Sequence, residues 1–514
     1  MAMTETRPAA ASAEDAAPAP AAPVEPAGLA GWLTTSDHKR VGRMWIATSL
    51  AFLLVGGVLG ELLGAERLDS GADLLKDGTF PQIYTLHAEA AVLLFLVPFF
   101  IGLATYLVPL QVGSPEIAFP RGSATAYWGY LVSGLLLCAS YVADGGITGT
   151  TSTAVDLYLL SLILVAGSLA IGALSAVTTV LTMRAPGLTL LRTPMLSWSV
   201  LVGGGLLLIQ LPVLVARLIG IFLEHHLAGA LPDGAYDGIA WFWSQPTVYL
   251  AGVFAAGVLL DVVPTLAARP LRFPVAGISV IGLLGILSIG GWVLDPAATD
   301  DLLYVGMGLA AVLPALALLG VLGDTARAGS PRLVAPLVLS LGSALLLLAG
   351  AAAGAVGVIE PLELAGTTWD AGQQHLVLMG AGGLAAFAAL WFWAPKLWGA
   401  ALSDKAGYLV ALLVLGGTVL LAGPDLFNGA SEDLPRGAIE FDATDTTKAL
   451  NGVSAAGGAL AALGAIVAIG AVVAAGRRRG TADADPWGGG ASFEWTTSSP
   501  PPAHNFDETP EVTA

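Results

Sequence analysis

The feature that most restricts this chain is an alternation. Long apolar runs are separated by short connectors, and lysine and arginine gather in every second connector. Twelve such runs lie at about 44–64, 83–108, 126–143, 157–183, 196–222, 239–265, 275–294, 302–322, 333–356, 371–394, 407–423 and 452–476. The hydrocarbon core of a bilayer is crossed by about 20 mostly apolar residues in helical form. Helices satisfy this setting because their backbone N–H and C=O groups are all paired within the segment. The sequence therefore predicts an all-α integral membrane protein, a single domain of twelve crossings without an internal repeat. Composition agrees: 55% of residues are hydrophobic and 11% charged, with mean hydropathy +0.77, values foreign to a soluble globular chain.

The basic residues give the topology. With the N-terminus placed inside, and leaving out the remote Arg7 and the in-span Arg217, the inner segments carry fifteen of them: Lys39, Arg40, Arg43, Arg121, Arg184, Arg192, Arg269, Arg272, Arg327, Arg332, Lys396, Lys405, Arg477, Arg478 and Arg479. The outer loops carry only Arg67, Lys76, Arg436 and Lys448. Positive charge stays on the cytoplasmic side, so both termini are expected there, in a bacterial-type plasma membrane. Residues 1–33, rich in Ala and Pro, read as a disordered tail, 34–476 as the membrane domain, and 477–514 as a polar cytoplasmic tail. Membrane lipid is the expected surrounding. Nucleic acid is not an expected partner of a chain with net charge −17.

Cofactor chemistry is narrowed by a single cysteine, Cys138. It excludes a disulfide framework, a C-x-x-C-H haem attachment and a copper site on paired thiolates. Of six histidines, only His87 and His375 fall well inside predicted spans. An imidazole in hydrocarbon marks a functional site by default. The second and tenth spans run in the same direction, and each histidine lies about four residues past its helix start, roughly 6 Å below the outer boundary. Two imidazoles at one depth on parallel helices suit axial ligation of one haem iron. The plainer alternative is local hydrogen bonding, His87 with Glu89 and His375 with Gln373 or Gln374. His225 and His226 are adjacent but diverge by about 100° on a helix, which does not make a metal pair by itself. His38 and His504, in polar segments, are expected to be solvated.

Five stretches carry a resemblance: TTSDHKRVG, TLHAEAAVLLFLVPFFIGLATYLVPLQVGSPEIAFPR, WFWSQPTVYL, WFWAPKLWG and PWGGGASFEWTTSSPPPAHNF. From about residue 34 to 507 the chain is similar to subunit I of the haem-copper oxidases, in the cytochrome c oxidase branch. The resemblance implies a twelve-helix bundle of that type, with His87 and His375 as the axial ligands of a low-spin haem. Arg436, in DLPRGAIEF, matches the first of two arginines near the haem propionates, and the second is Gly437. Gly64 stands where the family has an arginine beside the haem formyl group, so both a- and b-type haem stay open.

The oxygen-reducing half of the family pattern is missing. Gln245 and Thr247 replace a copper-ligand histidine and a proton-relay glutamate, while Tyr249 is kept. The two other copper-ligand histidines fall on Gly291 and Trp292, and the high-spin haem ligand on Gln373. An aliphatic residue near Leu318 takes the place of a proton-channel lysine, and Glu116 stands at one channel mouth. Gln, Gly and Trp do not rebuild a histidine copper site. The resemblance with these losses implies one non-covalent low-spin haem and no copper. It further implies respiratory-type electron transfer with a partner subunit or an extracytoplasmic cytochrome or cupredoxin, and no catalytic residue. Two alternatives stand: a haem-free structural or assembly scaffold, and an oxygen-reducing subunit with an unconventional site.

Overall fold

The computed structural model describes residues 28–71, 74–75, 78–146, 148–227, 229, 246–291, 302–478, 480, 482–508 and 510–512; side chains of 246–248, 289–291 and 303–304 are not described. Residues up to Thr35 form a unit of their own, whose described part is one short helix, Gly28–Leu33, within the stretch predicted as a disordered tail. The second unit begins at Ser36 and holds everything else.

That unit is helical throughout its crossings: α1 (His38–Glu66), α2 (Thr79–Val112), α3 (Pro120–Val142), α4 (Ser152–Thr182), α5 (Met195–His226), α6 (Pro246–Leu266) and α7 (Pro274–Gly291). They are followed by α8 (Leu302–Ala310 and Val312–Ala328), α9 (Ala335–Gly357), α10 (Thr368–Trp398), α11 (Asp404–Ser431) and α12 (Asp445–Arg477). Among the described residues, eleven helices are long and apolar enough to cross a membrane, and α7 is the shorter apolar one. Every predicted run falls on one of these helices in the expected order. Residues 239–245 of the sixth run and 292–294 of the seventh lie outside the described residues.

Each helix packs on the next, and α12 returns to α1, so the bundle closes. Burial divides the helices into two classes. Their most apolar windows are 89% buried in α2, 83% in α6 and 89% in α10, against 28% to 61% in the other candidate spans. Every fourth crossing is thus an inner helix. The sequence shows why: in α2 the stretch Val97–Val112 is apolar on all sides, and every residue of it is buried. The outer helices keep leucines such as Leu135, Leu164 and Leu412 exposed, as lipid contact requires. Close approach also fixes the interior. A Cβ on Gly42 of α1 would sit 2.8 Å from the carbonyl oxygen of Gly102 in α2, so a glycine lets the two backbones meet.

The inner helices α2 and α10 share an irregularity that the sequence did not announce. Each begins as an α-helix, passes through a π-helical segment (Ala90–Leu96 in one, Leu376–Gly383 in the other), and resumes α geometry. The two π segments pack on each other. Both helices stop on a left-handed glycine, Gly113 (φ 75°) and Gly399 (φ 68°), which leads the chain out of the bundle.

At that same end the C-terminal segment folds back over the helices. Trp487 stacks on Phe392 (5.5 Å, 7°), the Lys396 ammonium donates to Thr497 O at 2.7 Å, and Gln111 Nε2 donates to Glu494 Oε1 at 3.0 Å. His38 is a correction to the expectation of a solvated ring. It is 2% exposed, with Nδ1 3.0 Å from Thr105 O and Nε2 3.0 Å from Asn505 Oδ1. The returning tail, remote in sequence, covers it. His504 is exposed as expected.

Candidate haem-binding site

His87 lies in the last turn of the α-helical part of α2, three residues before the π segment. Its Nδ1 is 2.9 Å from the carbonyl oxygen of Gly56 in α1, so Nδ1 carries the proton. Nε2 has no hydrogen-bond partner among the described residues. The ring lies against Gly60, one turn further along α1: a Cβ there would come within 2.9 Å of His87 Cε1 and 3.3 Å of Nδ1. Glu89 is not its partner. Residues two apart on a helix point to different sides, and the Glu89 carboxylate accepts instead from Tyr158 (2.7 Å, α4) and Tyr141 (3.0 Å, α3).

His375 is the last residue before the π segment of α10. Its Nδ1 is buried without a hydrogen bond, and the polar atom facing it is Asp425 Oδ2 of α11, at 3.5 Å. Gln373 and Gln374 do not bond to it; Gln373 Nε2 and the hydroxyl of Tyr249 in α6 both lie against Gly354 of α9. Both candidate ligands therefore sit on inner helices, immediately ahead of π segments that touch. Such widened turns in α-helices are frequent at functional sites.

On the side of the bundle that holds both histidines, Arg436 pairs with Asp370 (Nη1 to Oδ2, 3.7 Å), and its backbone N–H donates to Gly366 O at 2.9 Å. Gly437 adopts φ 75° with the Tyr84 ring below it. A second arginine, Arg67, ends α1 nearby. Its Nη2 donates to Pro435 O at 3.4 Å, and its buried Nε has no partner. Burial pulls its guanidinium below the ordinary range, and the charges of Asp425 and Tyr84 oppose that shift. Gly64, one turn earlier, faces α12, where a Cβ would be 3.4 Å from Ala455 Cβ.

With this geometry in view, known proteins give the lineage. The family model described as "Cytochrome C and Quinol oxidase polypeptide I" matches residues 40–460. The chain belongs to this family. A putative cytochrome c oxidase subunit 1-beta from Streptomyces avermitilis is 30% identical, the match covering 94% of this chain and 90% of the relative. The "Heme-copper oxidase subunit I+III" of Aeropyrum pernix is also 30% identical, over 94% of this chain and 62% of the relative. The fold is similar to that of a heme-copper terminal oxidase dimer seen by electron cryomicroscopy, with TM-score 0.71 and 15% identity. That match covers 86% of this chain and 84% of the other.

Gln245 and Trp292 lie outside the described residues. Thr247 is in the first turn of α6 and Gly291 ends α7, with side chains not described. Tyr249 is buried, and a Cβ on Gly354 of α9 would meet both its hydroxyl (2.7 Å) and Gln373 Nε2 (2.8 Å). Three elements thus meet at Tyr249, Gln373 and Gly354. Leu318 is buried in α8, and Glu116 is exposed. His225 and His226 end α5 and reach back to α4: Nε2 of His225 is 2.9 Å from Ser152 Oγ, and Nε2 of His226 is 2.8 Å from Asp156 Oδ1. Among the described residues no three His, Cys, Asp or Glu side chains are grouped to hold a metal ion. Sequence reasoning missed Asp425, Gly60 and Arg67. Only Asp425 gave a signal, as a carboxylate two residues past an apolar run.

Proposed function

We propose that this chain is an electron-carrying member of the oxidase polypeptide I family. It holds one low-spin haem between His87 and His375 and has lost the oxygen-reducing centre. The observation that carries the reading is the matched state of the two imidazoles. Each stands just before a π segment of an inner helix, His87 Nδ1 is bonded to Gly56 O, His375 Nδ1 faces Asp425 Oδ2 at 3.5 Å without a hydrogen bond, and neither Nε2 has a protein partner among the described residues. An Nδ1 held by an oxygen fixes the tautomer and leaves Nε2 to a metal.

The bound group would be held by His87 and His375 and would supply a one-electron ferric/ferrous couple. The chain's own residues do the rest. Gly56 O orients His87, Gly60 makes room for its ring, and Arg436, with Arg67 beside it, would offer positive charge to the carboxylates of the bound group. At the second centre the donor set does not fit a metal. Gln245, Gly291 and Trp292 offer copper no imidazole, and Gln373 stands where an iron ligand would be needed. Oxygen reduction therefore has no site, and the partner is a redox protein or subunit that exchanges single electrons at the histidine side.

Reduced-minus-oxidised difference spectra of the purified protein test this. The wild type should show the bands of a six-coordinate haem, and His87→Ala or His375→Ala should abolish them. A wild type without haem bands would leave the scaffold reading instead, and an unchanged spectrum in either variant would refute the axial assignment.

A further inference from the structure

We infer that Asp425 is a positioning residue for the axial ligand His375 and that its carboxylate holds the haem couple toward the oxidised state. The inference rests on the haem reading above. Asp425 belongs to α11, and Oδ2 is the polar atom opposite the buried, unbonded Nδ1 of His375 at 3.5 Å. A shift of a few tenths of an ångström makes this a charge-assisted hydrogen bond. The two candidate ligands are then unequal. His87 gives its Nδ1 proton to a neutral carbonyl, Gly56 O, whereas His375 would give its proton to an anion, Asp425 Oδ2. A carboxylate behind a metal-bound imidazole raises the ligand's basicity, and a more basic ligand favours the more highly charged metal.

The surroundings keep this charge directed at the ring. Asp425 Oδ1 lies 3.3 Å from Ser454 Oγ of α12, whose single hydroxyl proton is shared with Leu421 O at 3.0 Å, while Oδ2 faces His375. The backbone carbonyl of Asp425 accepts from Thr368 Oγ1 at 2.8 Å, which ties this turn of α11 to the start of the His375 helix. Arg67 is the opposing charge nearby, but its nitrogens do not bond the carboxylate: Nη2 goes to Pro435 O and Nε has no partner. Placing an anion this far into an apolar bundle is costly unless it is paired, and His375 is the partner it faces.

Redox titration of the purified full-length protein, followed by the haem bands, tests the assignment. Asp425→Asn keeps shape and removes charge. The ferric/ferrous balance should move about tenfold toward the reduced form, a rise of about 59 mV for a one-electron couple. The electron-paramagnetic-resonance g values, which report the axial ligand field, should change with it. A haem-loaded variant with unchanged potential and g values overturns the inference. If Asp425→Asn binds no haem, Ser454→Ala decides. Freed of that hydroxyl, the carboxylate should act more strongly on His375 and move the balance about threefold toward the oxidised form; an unchanged balance overturns the inference. A wild type lacking haem overturns the parent reading together with this one, whereas unchanged potentials in a haem-bearing series overturn this one alone.

Discussion

The contact between Gly60 and His87 gives the sharpest single-residue prediction. In the structure a Cβ on Gly60 would lie 2.9 Å from His87 Cε1, whereas comfortable carbon–carbon contact begins at about 3.5 Å. The ring of a Gly60→Ala variant must therefore withdraw by about 0.6 Å, the difference of those two distances, while Gly56 O holds the adjacent Nδ1 at 2.9 Å. Ligand–metal distances tolerate only about 0.2 Å, so the displacement exceeds what an axial bond absorbs. Stability is a poor readout here. Overpacking costs about 1–3 kcal/mol, but replacing a mid-helix glycine by alanine returns up to about 1 kcal/mol. Haem content is the discriminating assay, as pyridine haemochrome per mole of chain. Gly60→Ala should lose most of its haem or shift its bands. Gly57→Ala, on the same helix, meets nothing closer than Ala462 Cβ at 3.8 Å and should keep both. Full haem with unchanged bands in Gly60→Ala would refute the reasoning, as would equal loss in Gly57→Ala.

Two further outcomes concern the tail side. Burial raises the carboxyl of Glu494 above its ordinary value of 4.5, with Gln111, Asp261, Trp393 and Lys396 around it. The folded chain thus binds this proton more tightly than the unfolded one, so the stabilisation is complete below pH 4.5 and is lost as pH rises through the higher folded value. Protease sensitivity of residues 482–508 should increase with pH over that window, and Glu494→Gln should flatten the dependence; a pH-independent wild type would count against it. Asn505→Ala removes the partner of His38 Nε2, one of the acceptors of Lys39 Nζ, and the donor to Ser114 O at 2.9 Å. Buried groups left unsatisfied cost about 1–3 kcal/mol each, so a loss of roughly 2–4 kcal/mol is expected in detergent unfolding. A loss below about 0.5 kcal/mol would show that water replaces the amide.

Legibility differed by level. The spans and their order were readable because lipid permits so few backbone solutions that hydropathy alone nearly dictates them. His87 and His375 were readable because a polar ring in an apolar run stands out. What supports them was not. Gly56 contributes only a carbonyl, Gly60 only the lack of a side chain, and Asp425 comes from a helix 50 residues beyond His375. Such partners are created by packing and leave no local pattern. The π segments were equally silent, since Ala90–Leu96 and Leu376–Gly383 are ordinary apolar runs. The covered state of His38 was hidden for a related reason: its partner Asn505 is 467 residues away.

The central claim is one haem with both axial positions filled by His87 and His375, and no second centre. Haem stoichiometry combined with carbon monoxide addition to the dithionite-reduced protein addresses it most directly. The account predicts one haem per chain and a reduced spectrum that carbon monoxide leaves unchanged. Two haems per chain, or a carbon monoxide adduct, would mean that an open-coordinate iron is present and that the oxygen-reducing half has not been lost.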